Sequence, residues 1–592
     1  MSKILGISAF YHDSSACLLD DGQILTAVQE ERFSRIKHDQ SFPSQSIKFI
    51  LEENNLSAVD IDYISFYEKP FLKFERLIET YIENAPRGFN SFRKAMPIWM
   101  KEKLYQKEFL FKSLQEISTS FSKKDILFSE HHLSHAASAF YPSPFDKALI
   151  LTIDGVGEWA TTSVALGEEN KIDLIKEIHF PHSLGLLYSA FTYYLGFKVN
   201  GGEYKVMGLA PYGEPKYKNL ILDNLLEIKK DGSFGLNQDF FNYSTGLTMV
   251  NEKFCKLFSK QVRNPESELL QFHMDIAASV QSVIEEALLK MVRVLSAEHN
   301  LENLCLAGGV ALNCVANSKI QNSGLFKNVW VQPAAGDAGG SLGAALATWH
   351  MHLDKPKHNK GSDSMRGSYL GPSFSQSHIE TFLNQRGINY NRYNEAEMIE
   401  RTAILLSEGK AVGWFQGKME YGPRALGSRS ILADPRSNEM QENLNLKVKF
   451  RESFRPFAPS ILEEDLSDWF ETEVKSPYML FVAQVKKDKL LKISVEDKKI
   501  SGLDRLKIQR SKIPAVTHVD YSARIQTVNE KYNNKYYKLI KEFKKLTGCP
   551  ILVNTSFNVR GEPIVCSPHD AYTCFKNTNL DYLVMENCII SK

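Results

Sequence analysis

Two distant stretches of this chain follow one grammar, and that repetition constrains the fold more tightly than any single motif. The first reads as an apolar strand (Ile4 to Phe10), a polar loop (Tyr11 to Ser15) and a second strand (Ala16 to Leu19). An Asp21-Gly22 turn and a third strand (Gln23 to Gln29) complete it. From about residue 148 the pattern returns: Ala148 to Ile153, the loop D-G-V-G-E, Thr161 to Leu166, a Glu-Asn-Lys turn, then Ile172 to Ile178. A hairpin unit used twice, each copy with a polar or glycine-bearing loop, implies two like halves facing a shared ligand.

The elements that follow fit this plan. Ile276, Val280, Val283, Ile284, Ala287, Leu288, Met291, Val292 and Leu295 recur at helical spacing, so one long amphipathic helix is expected between Leu269 and Asn300. A buried strand (Leu304 to Ala307), the loop G-G-V-A-L-N and a helix start at Cys314 come next. The run V-W-V-Q-P-A-A-G-D-A-G-G-S-L-G-A-A-L then repeats strand, glycine loop and helix, and both loops suit close approach of backbone amides to a nucleotide. The expected fold is α/β, with a duplicated actin-like ATPase-fold domain over residues 1–350. A polar stretch from His350 to Ser368 reads as a linker to a second domain over residues 366–592. At 592 residues, more than one core is required.

Charge narrows the partners. Lysine plus arginine (71) nearly equal aspartate plus glutamate (70), which argues against nucleic acid or a membrane surface as a main partner. The eight cysteines contain no C-x-x-C pair and read as buried free thiols of a cytoplasmic protein. No run of about 18 apolar residues is present, and the N-terminal apolar run is too short for a signal peptide.

Anion binding must therefore be local, and Lys418 to Pro435 (K-M-E-Y-G-P-R-A-L-G-S-R-S-I-L-A-D-P) is its place. Arg424 and Arg429 stand among small residues, and Lys449, Arg451 and Arg455 follow in V-K-F-R-E-S-F-R-P-F-A-P. A solvated basic face is the plainer alternative, but interleaved Gly, Pro and Phe favour a polyanion pocket.

A second candidate site lies in E-H-H-L-S-H-A-A-S-A-F-Y, where His131 and His135 share a helical face and can share a cation. A zinc protease would need glutamate where His132 stands, so that chemistry is excluded. Asp154 and Asp337, in two of the glycine loops, complete a mixed nitrogen and oxygen set suited to iron, zinc or manganese. Capped core histidines are the alternative. His12, in the first polar loop, is either the base for an attacking hydroxyl or a loop histidine bonded to backbone.

Taken together, I-L-G-I-S-A-F-Y-H-D-S-S-A, E-E-R-F-S-R-I-K-H-D, E-H-H-L-S-H-A-A-S-A-F-Y, G-G-E-Y-K-V-M-G-L-A-P-Y-G, M-E-Y-G-P-R-A-L-G-S-R-S-I-L-A-D-P-R, T-H-V-D-Y-S-A-R-I-Q and N-T-S-F-N-V-R-G-E-P-I resemble the O-carbamoyltransferase family of antibiotic and nodulation-factor biosynthesis, almost end to end. The resemblance implies a YrdC-like C-terminal domain in which carbamoyl phosphate and ATP, with Mg, give carbamoyl adenylate and pyrophosphate. It further implies a metal-dependent N-terminal domain, iron being the first expectation, that passes the carbamoyl group to a small-molecule hydroxyl.

By matching position, the metal ligands would be His131, His135, Asp154 and Asp337, and the catalytic residues His12, Arg424 and Arg524. Lys37, Gly185, Glu203, Lys205, Gly309 and Asn313 would bind nucleotide or adenylate. Arg424, Arg524, Asn554 and Ser556 would hold carbamoyl phosphate, and Arg429, Lys449, Arg455 and Met479 would bind ATP. Phe66 to Ser122 would shape the acceptor pocket, and a homodimer is the default for an oligomer. Two other readings are modification of a macromolecule, tRNA or a partner protein, and a non-catalytic nucleotide-binding module. Near-neutral charge and the missing cysteine pairs weigh against the first, and the clustered arginines against the second.

Overall fold

The computed structural model describes residues 2–102, 104–123, 126–357 and 361–592. Two compact units result. The first comprises Met1–Glu30 and His38–Ser364, and the second comprises Glu31–Lys37 and Met365–Lys592.

The repeated grammar becomes a repeated sheet. In the first unit, β1 (Lys3–Ser8), β2 (Ser15–Asp20), β3 (Gln23–Gln29), β4 (Tyr63–Phe66) and β5 (Ile126–Phe128) lie in the order β3-β2-β1-β4-β5. A second sheet follows, made of β6 (Lys147–Ile153), β7 (Ala160–Glu168), β8 (Lys171–His179), β9 (Leu226–Ile228) and β10 (Phe234–Leu236), which pair apart as a hairpin, then β11 (Asn303–Ala307) and β12 (Asn328–Val331). Its order, β12-β11-β6-β7-β8, is the first order over again. In each sheet three antiparallel strands from a meander continue into two parallel ones. Parallel addition requires a crossover, and each sheet obtains it from helical segments between its third, fourth and fifth strands. This is the duplicated actin-like ATPase topology.

The long helix runs from Gln271 to His299 and ends at a left-handed Asn300, and all nine of its expected apolar positions are buried. A second helix, Ala338–Ala347, is buried all round and packs on the helix His131–Phe140. Gly343 permits this: a Cβ there would lie 1.7 Å from the Ser134 carbonyl oxygen, so any larger residue would push the helices apart.

The expected linker is not free chain. His350 is buried and stacks on Tyr141 at 4.0 Å, and Ser364 N–H donates to Pro142 O. Lys357 Nζ donates to the carbonyls of Phe140 (2.9 Å) and Phe145 (2.6 Å), placing positive charge at the C-terminal end of a helix. Residues 358–360 of that stretch, and Lys103 of the proposed acceptor region, lie outside the described residues.

In the second unit a nine-stranded sheet centres on Val412–Phe415, Arg429–Ala433, Ile551–Ser556 and Ala458–Leu462. Trp414, Ile431, Ile461, Leu552, Tyr536 and Phe543 build its core. All eight cysteines are buried free thiols. No helix among the described residues is long and apolar enough to cross a membrane.

Candidate metal centre and cationic cluster

The helix His131–Phe140 presents His131 and His135 one turn apart, and Glu158 anchors its first turn by accepting from the His131 N–H at 3.0 and 3.1 Å. Asp154 follows β6, and Asp337 caps the start of Ala338–Ala347. Ser8 Oγ at the end of β1 donates to Asp337 O (2.9 Å), and Ser15 Oγ to Ala338 O (2.6 Å), so the first sheet positions a residue carried by the second half.

These elements bring four side chains to one point. One ligand atom from each of His131, His135, Asp154 and Asp337 lies within 4.8 Å of all the others. His131 Nε2 is 3.1 Å from both Asp154 Oδ2 and His135 Nε2, and Asp337 Oδ1 is 3.6 and 3.7 Å from the two imidazoles. Asp337 is 1% exposed, and neither of its carboxylate oxygens has a hydrogen-bond partner among the described residues. A buried carboxylate without donors is costly, and so are two imidazole nitrogens facing each other; a cation at the shared point answers both. Two imidazole nitrogens and two carboxylate oxygens form a donor set that fits a divalent metal.

Electrostatics agree with the geometry. Burial works against charge on His135, but Asp154 and Asp337 outweigh it and push the ring up to about 9. Burial would raise Asp154, yet its bonds to His131 and His135 hold it well below the usual carboxylate range. His132 turns away and pairs with Ser163 Oγ at 2.9 Å. His12 sits at the rim, its Nε2 3.7 Å from Asp337 Oδ2.

The expected nucleotide-binding residues divide. Gly309 N–H donates to Asp154 Oδ1 (3.0 Å), and a Cβ on Gly185 would meet Asp154 O at 2.5 Å, so both glycines serve the Asp154 loop. Two of these residues are engaged by the chain itself. Glu203 accepts from the amides of Asn200, Gly201 and Gly202 and from Ser189 Oγ, so its carboxylate ties off its own loop instead of facing a ligand. Asn313 caps the next helix through Ala316 N and exchanges hydrogen bonds with Gln281, which consumes its amide. Lys205 lies over the Phe197 ring at 5.3 Å.

In the second unit the arginine-rich loop folds around an internal anion. The buried Glu420 accepts from the amides of Leu426 (2.7 Å), Ser428 (2.8 Å) and Arg429 (3.2 Å). Arg429 is engaged most fully. It is 0% exposed, donates to the carbonyls of Gln416, Ser428, Pro372 and Gly417, and lies 3.7 Å from the Phe415 ring centroid. Its two terminal nitrogens clamp the backbone, while Nε has no partner among the described residues. Asn554 is likewise turned inward, donating to Gln526 Oε1 (2.8 Å), Ser460 Oγ (3.1 Å) and Ala425 O (3.3 Å), so it shapes the loop beside Arg424.

Arg424 and Arg524 are half-buried, Arg524 on the strand Ser522–Val528, and Met479 is buried with a left-handed φ of 56°. Lys449, 2% exposed, donates to Ser556 O (2.6 Å), Ser556 Oγ (3.2 Å) and Asn558 Oδ1 (2.5 Å). Burial, then Arg451, Arg455 and Lys37, press its ammonium well below the ordinary lysine range. Arg455 lies 3.7 Å from Glu452. Lys37 belongs to this unit: Arg32 Nη2 donates to Gly422 O (2.7 Å), and Arg35 Nη1 to Ile564 O (2.7 Å), docking Glu31–Lys37 on it. Arg451, Arg455 and Lys37 thus lie within electrostatic reach of Lys449, a concentration of positive charge suited to an anionic ligand.

Residues 3–346 match the family described as carbamoyltransferase N-terminus, and residues 403–592 match the carbamoyltransferase C-terminus. The chain belongs to the carbamoyltransferase family. It is similar to an uncharacterized protein of Synechocystis sp., 58% identical over 100% of this chain and 97% of that one. It is also similar to the nodulation protein NolNO of Sinorhizobium fredii, 38% identical over 99% of this chain and 80% of that one. Among solved structures, component A of the Acidaminococcus fermentans (R)-2-hydroxyglutaryl-CoA dehydratase covers 59% of this chain and 98% of its own, at 14% identity and TM-score 0.31. As a carbamoyltransferase the chain is an enzyme, which sets aside the non-catalytic reading.

Sequence reasoning missed Glu158, Glu420 and Asp13. Each is an acidic residue inside a loop that already held a stronger candidate, and a lone carboxylate in such a loop is the signal that was there to read.

Proposed function

We propose that this carbamoyltransferase is ATP-dependent, forming carbamoyl adenylate in residues 366–592 and delivering the carbamoyl group to a hydroxyl of a small-molecule acceptor in residues 1–350. Carbamoyl phosphate first loses inorganic phosphate to water, and the resulting carbamate oxygen attacks the α-phosphorus of Mg-bound ATP, expelling pyrophosphate. In the second unit's site, Arg424, Arg524 and Ser556 hold carbamoyl phosphate, while Lys449, Arg455 and Lys37 face the phosphates of ATP and Met479 lines the pocket. Phosphate oxygens beside Lys449 would offset the crowding of like charge around it and return its ammonium to the charged form.

In the transfer step the acceptor oxygen bonds to the carbamoyl carbon, and the bond from that carbon to AMP breaks, AMP keeping the electron pair. His12 Nε2 takes the hydroxyl proton. His131, His135, Asp154 and Asp337 would hold a divalent cation, with iron the first expectation and zinc and manganese also suited, and such a cation would supply Lewis-acid polarisation of the carbamoyl carbonyl. Gly185 and Gly309 keep the Asp154 loop close, and Lys205 contacts the adenylate. The observation that carries the reading is the buried Asp337 carboxylate, which lacks donors, faces two imidazoles and has His12 at 3.7 Å.

Labelled pyrophosphate tests the first step without knowledge of the acceptor. Protein mixed with ATP and carbamoyl phosphate is expected to move label into ATP, and Arg424→Ala to abolish this. His12→Ala is expected to spare exchange and stop transfer. Equal loss in both variants would overturn the allocation of steps, and absence of exchange with iron, zinc and manganese alike would overturn the reading as a whole.

A further inference from the structure

We infer that Asp13 is a positioning residue for His12 and that His38 positions Asp13 in turn, the three side chains forming a relay that turns the Nε2 lone pair of His12 toward Asp337. This rests on the reading of His12 as the transfer base.

Asp13 stands between two imidazoles. Its Oδ2 is 3.0 Å from His12 Nδ1, and its Oδ1 is 2.8 Å from His38 Nδ1. An ionised carboxylate only accepts, so each of these ring nitrogens carries a proton. Neutral His12 is thereby fixed in the tautomer whose lone pair is on Nε2, the atom 3.7 Å from Asp337 Oδ2. A base needs that nitrogen unprotonated before it meets the acceptor hydroxyl. Tyr11, its ring centroid 4.7 Å from that of His12, packs on the imidazole.

The backbone independently singles out two of the three residues. Phe10 (φ 75°), Asp13 (φ 53°) and His38 (φ 57°) all hold left-handed conformations without being glycine. Two of these three are the relay partners of His12. Cross-bonds keep them there: Phe10 N–H donates to Gln40 O and Ser14 N–H to Asp39 O, each at 2.8 Å. Strain of this kind persists only where surrounding contacts over-determine it, and here it brings two loops together so that Asp13 reaches both rings.

During transfer the proton leaving the acceptor oxygen arrives on His12 Nε2, and the new positive charge lies against a carboxylate already held in place. Asparagine at position 13 can present its amide N–H to His12 Nδ1, and the imidazole would then carry its proton on Nε2, the wrong atom.

The relay can be tested with water as the probe acceptor, by AMP formed from ATP and carbamoyl phosphate, and by nitrogen NMR of isotope-labelled histidine in zinc-loaded protein. In wild type, neutral His12 is expected to carry its proton on Nδ1 and none on Nε2. Asp13→Asn is expected to shift the proton onto Nε2 and lower AMP formation about 1000-fold at unchanged KM for carbamoyl phosphate, as loss of the correct tautomer does in a catalytic triad. His38→Asn is expected to lower it about tenfold. Zinc stoichiometry and melting temperature report on folding. A proton on Nε2 of neutral His12 in the wild type would overturn the inference, as would full AMP formation by Asp13→Asn while His12→Ala is inactive. Full AMP formation by His12→Ala would instead remove the base, and the relay with it.

Discussion

Charge is buried to the same depth at the imidazole and carboxylate cluster of the first unit and in the arginine-rich loop of the second, but it is answered differently. Among the described residues Asp337 has no donor to either oxygen, and the imidazoles beside it face each other. Arg429 spends both terminal nitrogens on four carbonyls, and Glu420 takes up three amides in the same loop. Depth of burial therefore does not tell a ligand-binding ion from a scaffold ion. What separates Asp337 from Arg429 and Glu420 is degree: neither of its oxygens meets a donor among the described residues, whereas Arg429 leaves only Nε and Glu420 only Oε2 without a partner.

The largest effect expected from this contrast is at Asp337. Asp337→Asn is expected to weaken divalent-metal affinity by more than about 100-fold, since loss of an outer partner alone costs 10 to 100-fold. In metal-free protein at neutral pH the same variant should melt lower, because protonated His135 loses one of the two carboxylates that hold it charged. Metal titration checks the first effect, and unchanged metal affinity would make Asp337 a scaffold ion like Arg429.

Next in size, Arg429→Met is expected to cost about 3–5 kcal/mol of stability, the usual penalty for breaking a buried charge network. Arg424→Met should leave the denaturation midpoint nearly unchanged while abolishing pyrophosphate exchange. Equal midpoints for the two variants would erase the distinction drawn between these arginines.

The smallest effect is a pH dependence. In metal-free protein His135 is pushed from 6.5 up to about 9 by Asp154 and Asp337, against its burial. A raised folded pKa contributes stability that is fully present below 6.5 and lost as pH rises through about 9, so metal-free protein should weaken over that window. Metal binding must displace the same proton, and apparent affinity should therefore rise about tenfold per pH unit up to that limit. Calorimetry in buffers of different ionisation enthalpy would detect the released proton.

Much of the first unit was legible in the chain. Alternating strands around Asp21-Gly22 and again around Glu169-Asn170-Lys171 state a local preference that needs no distant partner, and both meanders form within a residue or two of expectation. The four-residue spacing of His131 and His135 sets them on one helical face wherever that helix goes. Arg424 and Arg429 could not be told apart in the same way. They share neighbours and charge, and differ only because Arg429 opens a central strand beside Phe415 while Arg424 stands in the preceding loop. Asn313 and Asn554 are engaged by residues distant in sequence, Gln281 and Ala425, which the sequence does not place beside them, whereas Glu203 is engaged by the amides just before it.

Residue order alone determined the periodicities, the duplicated meander and the family, because these depend on interactions a few residues long or on motifs read in a row. Tertiary structure alone decided which buried charges stay unanswered, that Asp337 meets His135 across the Gly343 contact, and that Lys37 joins Lys449. Those outcomes depend on which donors and acceptors distant segments bring together, and hydrogen-bonding capacity spent on one partner is no longer available to another.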